Sequence, residues 1–229
     1  MPKKEIKKIN KIFKTVLVLF SGGRDSSSVA VEMIRAGYKV KLFTYQGGLP
    51  ELVGPRGDSA PDIRHLELLK VFPKSLDAER VITGNAYLLR KLAIEKTNEM
   101  HVVYPIAIVF GIYAGAILYC LENDINDIAC GYSGYQGKED RYIEQRKDFF
   151  ERMKIFLKEY GIKLHAPIIE KSKQEVMDIL ERCGISSNSM ENKAVWGGIP
   201  FKVEKAEEYW EKCLPVIRDY IKSMRLLHK

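Results

Sequence analysis

The stretch VLVLFSGGRDSSSVAVEMI, residues 16–34, decides how this chain folds. It passes without a break from a run of strand-forming residues, through glycines and serines, into an amphipathic helix pattern. Glycine allows a tight bend, and the first turn of the helix presents free N–H groups and the positive end of its dipole. The stretch therefore predicts an anion-binding turn, suited to phosphate, between a strand and a helix.

The remainder of the chain continues this alternation of strand and helix. Helical patterns lie between five strand segments, at residues 15–20, 39–45, 80–84, 127–134 and 163–169, of which the fourth runs into a glycine-bearing loop. Elements in this order predict an α/β fold with a Rossmann-like, doubly wound and mostly parallel five-stranded sheet. Helices are expected on both faces of that sheet, and a helical extension follows at the C-terminus.

On this pattern the chain divides into three parts. Residues 1–14 are predicted to form a basic N-terminal arm or helix, residues 15–185 the α/β domain, and residues 186–229 the helical extension. Residues 2–14 contain six lysines and one glutamate, and the whole chain carries a formal charge of +7. Such a surplus attracts phosphates or RNA, although lysine is also an ordinary solubilising residue.

The number and spacing of the cysteines limit which metal sites and which cellular compartment can be expected. Cys120, Cys130, Cys183 and Cys213 form no C-x-x-C pair, so neither a zinc ribbon nor a disulfide framework is expected. Together with an N-terminus that lacks the signal-peptide pattern, this predicts a cytoplasmic protein.

One uncharged segment, residues 102–121, has the length of a membrane span. It contains Pro105 and several small residues, and the sequence has no second segment of this kind. We therefore expect a core helix, apolar all round because it lies between the sheet and other helices, and no membrane partner.

Residues 21–26, SGGRDS, resemble the SGG-x-D-S signature of the PP-loop ATP pyrophosphatases. The Walker A and G-x-G-x-x-G loops are both absent at this turn. The resemblance implies a HUP-type fold that binds ATP and Mg²⁺, grips the β and γ phosphates, and releases them as pyrophosphate while AMP passes to an acceptor. Residues 165–180 are similar to another segment of that superfamily, whose lysine matches Lys173. The implied catalytic residues are Asp25 and Lys173, and Asp25 is the implied Mg²⁺ ligand.

Residues 128–150 look like the stretch that lines the substrate pocket of 7-cyano-7-deazaguanine synthases, with Ser133, Gly134 and Tyr135 as the best match. The chain lacks the four zinc-binding cysteines of those enzymes, and no zinc is expected. The residues implied to contact the nucleotide are Phe20, Ser21, Gly22, Gly23, Arg24, Asp25, Ser26, Ser27, Phe43, Thr44 and Gly131. The residues implied to contact the substrate are Tyr132, Ser133, Tyr135, Arg141 and Arg146.

The function implied by the resemblance is that of an ATP pyrophosphatase-type ligase, which activates a carboxylate or carbonyl of a small-molecule acceptor, such as a deazapurine, and forms a C–N bond. Two alternatives stay open. One is tRNA thiolation or another tRNA base modification, with Cys130 at a strand end as the thiol. The other is a module that binds ATP without catalysis. A homodimer also stays open.

Overall fold

The computed structural model describes residues 14–46, 59–84, 88, 91–92, 100–136, 145–188 and 203–227. The elements are β1 (Thr15–Leu19), α1 (Arg24–Arg35), β2 (Lys39–Tyr45), α2 (Ala60–Val71), β3 (Val81–Thr83), α3 (Met100–Glu122), β4 (Asp127–Ala129), α4 (Lys147–Lys158), β5 (Lys163–His165), α5 (Lys173–Glu181) and α6 (Val203–Leu227).

The five strands form one sheet in the order β3-β2-β1-β4-β5, and every neighbouring pair is parallel. The central strand β1 pairs with β2 along its whole length and with β4 on its other side. The chain thus starts in the middle and winds outward in both directions. The predicted doubly wound, five-stranded parallel sheet is confirmed.

Side-chain alternation along β1 supplies two separate cores. Val16 and Val18 face α1, α2 and α5, whereas Leu17 faces α3, α4 and α6. All three are fully buried, as expected for a central strand covered on both faces. On the first face, Ser28 of α1 donates to the main-chain oxygen of Val176 in α5 at 3.0 Å, which ties two helices of that layer together.

Several element ends differ from the sequence expectation. The fifth strand stops at His165 and not at residue 169, because Ile169 N–H donates to Ala166 O across a turn that contains Pro167. The fourth strand stops at Ala129, ahead of the glycine-bearing loop. The capping box predicted for α5 is present: Ser172 N–H donates to Glu175 Oε2 at 2.7 Å, and Glu175 N–H donates to Ser172 Oγ at 3.3 Å.

The uncharged segment lies within α3. Its described side chains, including Phe110, Tyr113 and Ile117, are buried between the sheet and α6. No helix in the described part of the chain is long and apolar enough to cross a membrane.

Helix α6 completes the second core. The Trp210 ring lies 4.6 Å from Phe110 and 5.5 Å from Phe149, measured between ring centroids. Tyr209 O–H donates to the main-chain oxygen of Leu92 at 3.1 Å. At the surface, Arg152 of α4 pairs with two glutamates of α6. The extension is therefore packed into the core of the α/β unit, while the domain boundaries at residues 14 and 185 stay a prediction.

A buried carboxylate joins three strands at the amino end of the sheet. Asp127 of β4 is completely buried, with Lys14 Nζ 2.6 Å and His165 Nε2 2.7 Å from its two oxygens. Burial opposes ionisation of Asp127, but the contacts with Lys14 and His165 hold its pKa below the ordinary value. The ionised carboxylate thus links the residue before β1 to β4 and β5.

Replacing Trp210 with alanine should lower the free energy of unfolding by about 3–5 kcal/mol, because the substitution empties the space between α3, α4 and α6. Denaturant unfolding measures this loss. The matched control is Leu226→Ala at an exposed position of the same helix, where a change below about 0.5 kcal/mol is expected. Equal effects of the two substitutions would show that α6 does not contribute to the core.

Replacing Asp127 with asparagine should remove a pH-dependent part of the stability. Because the pKa of Asp127 is lowered in the folded state, its ionised form stabilises the fold fully above the unfolded-state pKa of about 4. That contribution is lost as the pH falls through the lower folded-state value. The difference in unfolding free energy between the wild type and Asp127→Asn, followed from pH 6 to pH 3, should therefore be constant above about pH 5 and narrow below about pH 4. The exposed Asp219→Asn serves as control, and a difference that does not change with pH contradicts the expectation.

Candidate nucleotide-binding site

The turn between β1 and α1 depends on a glycine. Gly22 has a φ of 77°, in the left-handed region. A Cβ on Gly22 would lie 2.4 Å from the nitrogen of Pro61, in the first turn of α2. Two helix N-termini, those of α1 and α2, therefore meet at this glycine, at the carboxyl end of the sheet where open α/β folds bind ligands.

The serine hydroxyl groups of the turn form hydrogen bonds with its main chain. Ser21 N–H donates to Ser26 Oγ at 3.3 Å, and Gly23 N–H donates to Ser21 Oγ at 3.3 Å. Ser26 Oγ and Ser27 Oγ donate to the main-chain oxygen of Gly23 at 3.2 Å and 2.6 Å. In this arrangement the hydroxyl groups hold the backbone of the turn in place.

Helix α1 starts without a side-chain cap. Gly23 occupies the N-cap position, where it has no side chain to offer, and the first helical hydrogen bond runs from Ser27 N–H to Gly23 O at 3.1 Å. The N–H groups of Arg24, Asp25 and Ser26 therefore have no partner within the helix. An uncapped helix start behind a glycine turn fits a phosphate group, which accepts several N–H bonds and is attracted by the helix dipole.

Asp25 lies within a network of side chains from two loops. Tyr135 O–H lies 2.7 Å from Asp25 Oδ1 and 2.9 Å from Oδ2, and it accepts a hydrogen bond from Arg24 Nη2 at 3.0 Å. Ser133 Oγ lies 3.4 Å from Asp25 Oδ2, and Arg24 Nε lies 3.4 Å from Oδ1. Burial and the neighbouring Asp25 carboxylate raise the pKa of Tyr135 to about 12. The phenol therefore stays protonated and remains a donor to Asp25.

Two glycines bring the loop after β4 against its neighbours. A Cβ on Gly131 would lie 3.2 Å from Ser26 N in α1, and one on Gly134 would lie 2.3 Å from the main-chain oxygen of Ile169. Gly134 N–H donates to that same oxygen at 2.9 Å. Ser133 is fully buried, and its Oγ lies 3.3 Å from Gln145 Oε1. The loops after β1, β4 and β5 thus contact each other at one edge of the sheet.

The end of β2 joins the same edge through its main chain. Thr44 Oγ1 donates to Phe20 O at 2.7 Å, and Phe20 N–H donates to Phe43 O at 2.7 Å. The rings of Phe20 and Phe43 are buried in opposite cores. A nucleotide at this edge would therefore meet the backbone of these two residues, whereas their rings pack inward.

Among the described contacts, none joins Lys173 or Arg146 to the Asp25 network. Lys173 is exposed at the first position of α5, and among the described contacts none joins it to the glycine turn. Arg146 is the N-cap residue of α4 and pairs with Asp148, with Arg146 Nε 3.1 Å from Asp148 Oδ1. Arg141 lies outside the described residues. The roles of these three residues stay predictions.

Tyr132 and Cys130 are both buried. Tyr132 packs edge-on against Phe150 with ring centroids 5.8 Å apart, so its ring is part of the second core. Burial raises the pKa of Cys130 to about 11, and its Sγ lies 3.6 Å from His165 O. A buried thiol with a raised pKa supplies little thiolate at neutral pH, which weakens its case as a sulfur carrier.

The sequence indicated Arg24 as a nucleotide contact but not its contact with Tyr135, and it did not indicate Pro61 or Gln145 as partners of this site. Arg24 occupies the variable position of the signature, and its contact with Tyr135 spans 111 positions of the chain. Pro61 sits in a capping box in which Asp62 N–H donates to Ser59 Oγ, and this S-x-x-D pattern could have revealed the start of α2. Nothing in the sequence signals that Gln145 contacts Ser133.

The donors present fit ATP with Mg²⁺ better than a metal held by the protein alone. Among the described side chains, no group of three or more His, Cys, Asp and Glu is placed to hold a metal ion. Mg²⁺ commonly binds through one or two carboxylates together with substrate phosphates, and Asp25 beside the uncapped turn can supply one of them. Cys183 and Cys213 pack against opposite cores and cannot ligate one ion.

Fold and turn together define a PP-loop nucleotide-binding protein of the ATP pyrophosphatase superfamily. Within that class, residues 15–192 match the family described as queuosine biosynthesis protein QueC, and the chain belongs to this family. No curated protein sequence matches the chain significantly.

The fold is similar to that of several solved structures, including the following two. A 4-thiouridine synthetase, solved in complex with RNA and bound ATP, superposes with a TM-score of 0.59 at 11% identity. That alignment covers 91% of this chain and 53% of the synthetase, so the chain spans about half the length of that protein. The U34-tRNA thiolase NcsA of Methanococcus maripaludis, solved with its [4Fe-4S] cluster, gives a TM-score of 0.52 at 14% identity, covering 92% of this chain and 73% of the thiolase. At these identities the likeness shows the fold alone.

The glycine turn predicts the outcome of a matched pair of substitutions. Gly22→Ala and Gly37→Ala both place alanine at positive φ, which costs roughly 1–2 kcal/mol, but a Cβ at Gly37 meets nothing within 4 Å. Gly22→Ala should lose a further 1–3 kcal/mol, approximately, because its Cβ overlaps the backbone of Pro61. Thermal and denaturant unfolding compare the two variants. Equal losses would mean that the approach of α2 to the turn is not as close as described.

Proposed function

We propose that this chain is an ATP-dependent adenylating enzyme of the QueC type. An acceptor carboxylate or carbonyl oxygen attacks the α phosphorus of ATP, the bond to the β phosphate breaks, and pyrophosphate leaves. A nitrogen nucleophile then displaces AMP and forms an amide on a deazapurine or related small molecule. A nitrile forms when a second ATP adenylates the amide oxygen with release of pyrophosphate, and AMP leaves as the amide nitrogen loses its two protons. The observation that carries the proposal is the uncapped N-terminus of α1 behind Gly22 and Gly23, with the Asp25 carboxylate beside it.

The residues of the turn would serve as a rigid cradle for the outer phosphates. Ser21, Ser26 and Ser27 already hold the main chain in position, so the N–H groups of the first helical turn need not reorganise when the phosphates bind. Preorganised donors of this kind stabilise the charge that develops on a leaving group. Mg²⁺, when bound, would neutralise part of the phosphate charge, and Asp25 is the carboxylate positioned to hold it.

The base and ribose would lie along the carboxyl end of β2, against the main chain of Phe43 and Thr44. The acceptor would lie on the other side of the turn, by the loop that carries Ser133 and Tyr135. Tyr132, Arg141 and Arg146 are proposed to contribute to this acceptor pocket, and Lys173 to approach the phosphates from α5. Positioning of the two substrates supplies most of the catalysis in such a scheme.

The four cysteines are free thiols, as a reducing compartment requires, and a cytoplasmic location is part of the proposal. The small-molecule acceptor is the proposed partner. A measurement of molecular mass in solution decides whether the chain forms a homodimer.

A second candidate is modification of a tRNA base. It is favoured by the names of two of the solved structures that share the fold, both of which concern RNA thiolation, and by the net charge of +7. Burial of Cys130 argues against this residue as a sulfur carrier, because its thiol supplies little thiolate at neutral pH. Cys130→Ser separates the two proposals: a thiolase that uses this thiol loses turnover, whereas an amide- or nitrile-forming enzyme retains it.

A third candidate is a module that binds ATP without turning it over. Pyrophosphate release in the presence of deazapurine carboxylates, with an ammonium donor, decides between this module and an enzyme. A pure binding module releases none with any acceptor, although it binds ATP.

Asp25→Asn should weaken Mg²⁺·ATP binding about tenfold or more, because one anionic ligand is lost; tenfold corresponds to about 1.4 kcal/mol. Isothermal titration calorimetry measures the dissociation constant, and Asp178→Asn, at a half-buried position on α5, serves as control. Thermal unfolding of each variant checks that the fold is retained. Unchanged Mg²⁺·ATP affinity in Asp25→Asn would remove Asp25 from the proposed site.

A further inference from the structure

Asp25 reaches its neighbours with both carboxylate oxygens already engaged. Oδ1 faces Tyr135 O–H at 2.7 Å and Arg24 Nε at 3.4 Å, and Oδ2 faces Tyr135 O–H at 2.9 Å and Ser133 Oγ at 3.4 Å. These four contacts come from three donors, because the single hydroxyl proton of Tyr135 lies between the two oxygens. Only 12% of the Asp25 side chain is exposed. A cation that approaches this carboxylate therefore competes with these donors for its oxygens.

The shortest of these contacts belongs to Tyr135, which also holds Arg24. Its single hydroxyl proton points toward Asp25, and its oxygen accepts from Arg24 Nη2 at 3.0 Å. The guanidinium of Arg24 is thereby kept beside the carboxylate, where its charge repels a second cation. Loss of the Tyr135 contact would release the donor that blocks Asp25 and also free Arg24 to turn away.

Tyr135 belongs to the loop that would face the acceptor. That loop is attached to α1 at Gly131 and to the turn after β5 at Gly134, and it carries the buried Ser133. The Tyr135 contact is thus the link between the carboxylate of the phosphate site and the acceptor loop. A movement of Tyr135 would therefore affect both the Asp25 carboxylate and the acceptor loop.

We infer that Tyr135 is a positioning residue that occupies Asp25 in the nucleotide-free protein and yields this carboxylate to a divalent cation arriving with ATP. Tyr135 and the cation compete for the same oxygens, so binding of the metal–nucleotide complex releases Tyr135 and loosens the loop around Ser133. The inference rests on the proposed binding of Mg²⁺·ATP and goes beyond it, because it concerns what the metal must displace.

The direction in which Mg²⁺·ATP affinity changes when Tyr135 is removed distinguishes competition from a supporting role. If Tyr135 only orients Asp25 for the metal, its removal weakens Mg²⁺·ATP binding. If Tyr135 competes with the metal, its removal strengthens Mg²⁺·ATP binding and leaves the affinity for metal-free ATP nearly unchanged. General damage to the turn would lower both affinities together.

The test measures the dissociation constant of ATP by calorimetry, once with MgCl₂ and once with EDTA, for the wild type and Tyr135→Phe. The ratio of the two constants reports the coupling between ATP and the metal. We expect this ratio to change in favour of Mg²⁺·ATP by about tenfold or more in Tyr135→Phe, as for a lost hydrogen bond to a charged group. Tyr160→Phe, a half-buried tyrosine that packs against Phe156 at the far end of α4, should leave the ratio unchanged.

Two further variants tie the effect to Asp25. In the Asp25→Asn background, Tyr135→Phe should produce no gain, as the cycle of single and double variants requires for coupled residues. Arg24→Gln carries the same test if thermal unfolding shows that Tyr135→Phe is not folded, and it should shift the ratio in the same direction.

The outcomes separate the inference from the proposed function. Binding of ATP by the wild type, together with an unchanged or reduced preference of Tyr135→Phe for Mg²⁺·ATP, overturns the inference and leaves the proposed function standing. Absence of ATP binding by the wild type under both conditions overturns the proposed function and the inference with it.

Discussion

The structure depends on one close approach of main chain to main chain, at the point where β1 turns into α1. Gly22 lies so near the first turn of α2 that no side chain fits between them. That contact sets the conformation of the turn, and the turn sets the direction in which α1 leaves the sheet. Two helix N-termini then converge on the carboxyl end of the central strand, where the positive ends of their dipoles reinforce each other.

The polar side chains around Gly22 have two different roles. The serine hydroxyls bind the backbone of the turn, which leaves the N–H groups of the first helical turn as the donors available to an anion. The Asp25 carboxylate contacts the loop after β4 through Tyr135 and Ser133. Phosphate binding and acceptor binding would therefore share one residue, and the geometry couples them through a single hydroxyl.

The same arrangement explains why membership of the QueC family does not by itself identify the acceptor. The glycine turn and its uncapped helix are properties of the phosphate site, which all members of a PP-loop class need. In the proposed function, the loop after β4 and the residues that follow it would contact the acceptor. In this chain the aromatic residue next to that loop, Tyr132, is committed to the core, and the thiol of Cys130 is buried beneath it.

The sequence by itself determined the order of strands and helices, the parallel sheet and the position of the phosphate turn, because all of these follow from local periodicity and from the glycines and capping residues of short segments. Residues 21–26 were sufficient to predict the class of protein. The contacts of Tyr135 with Arg24 and Asp25, and of Pro61 with Gly22, depend on the tertiary structure alone. These contacts join residues far apart in the chain, and their geometry depends on how helices and loops pack around the sheet, which no local pattern of residues encodes.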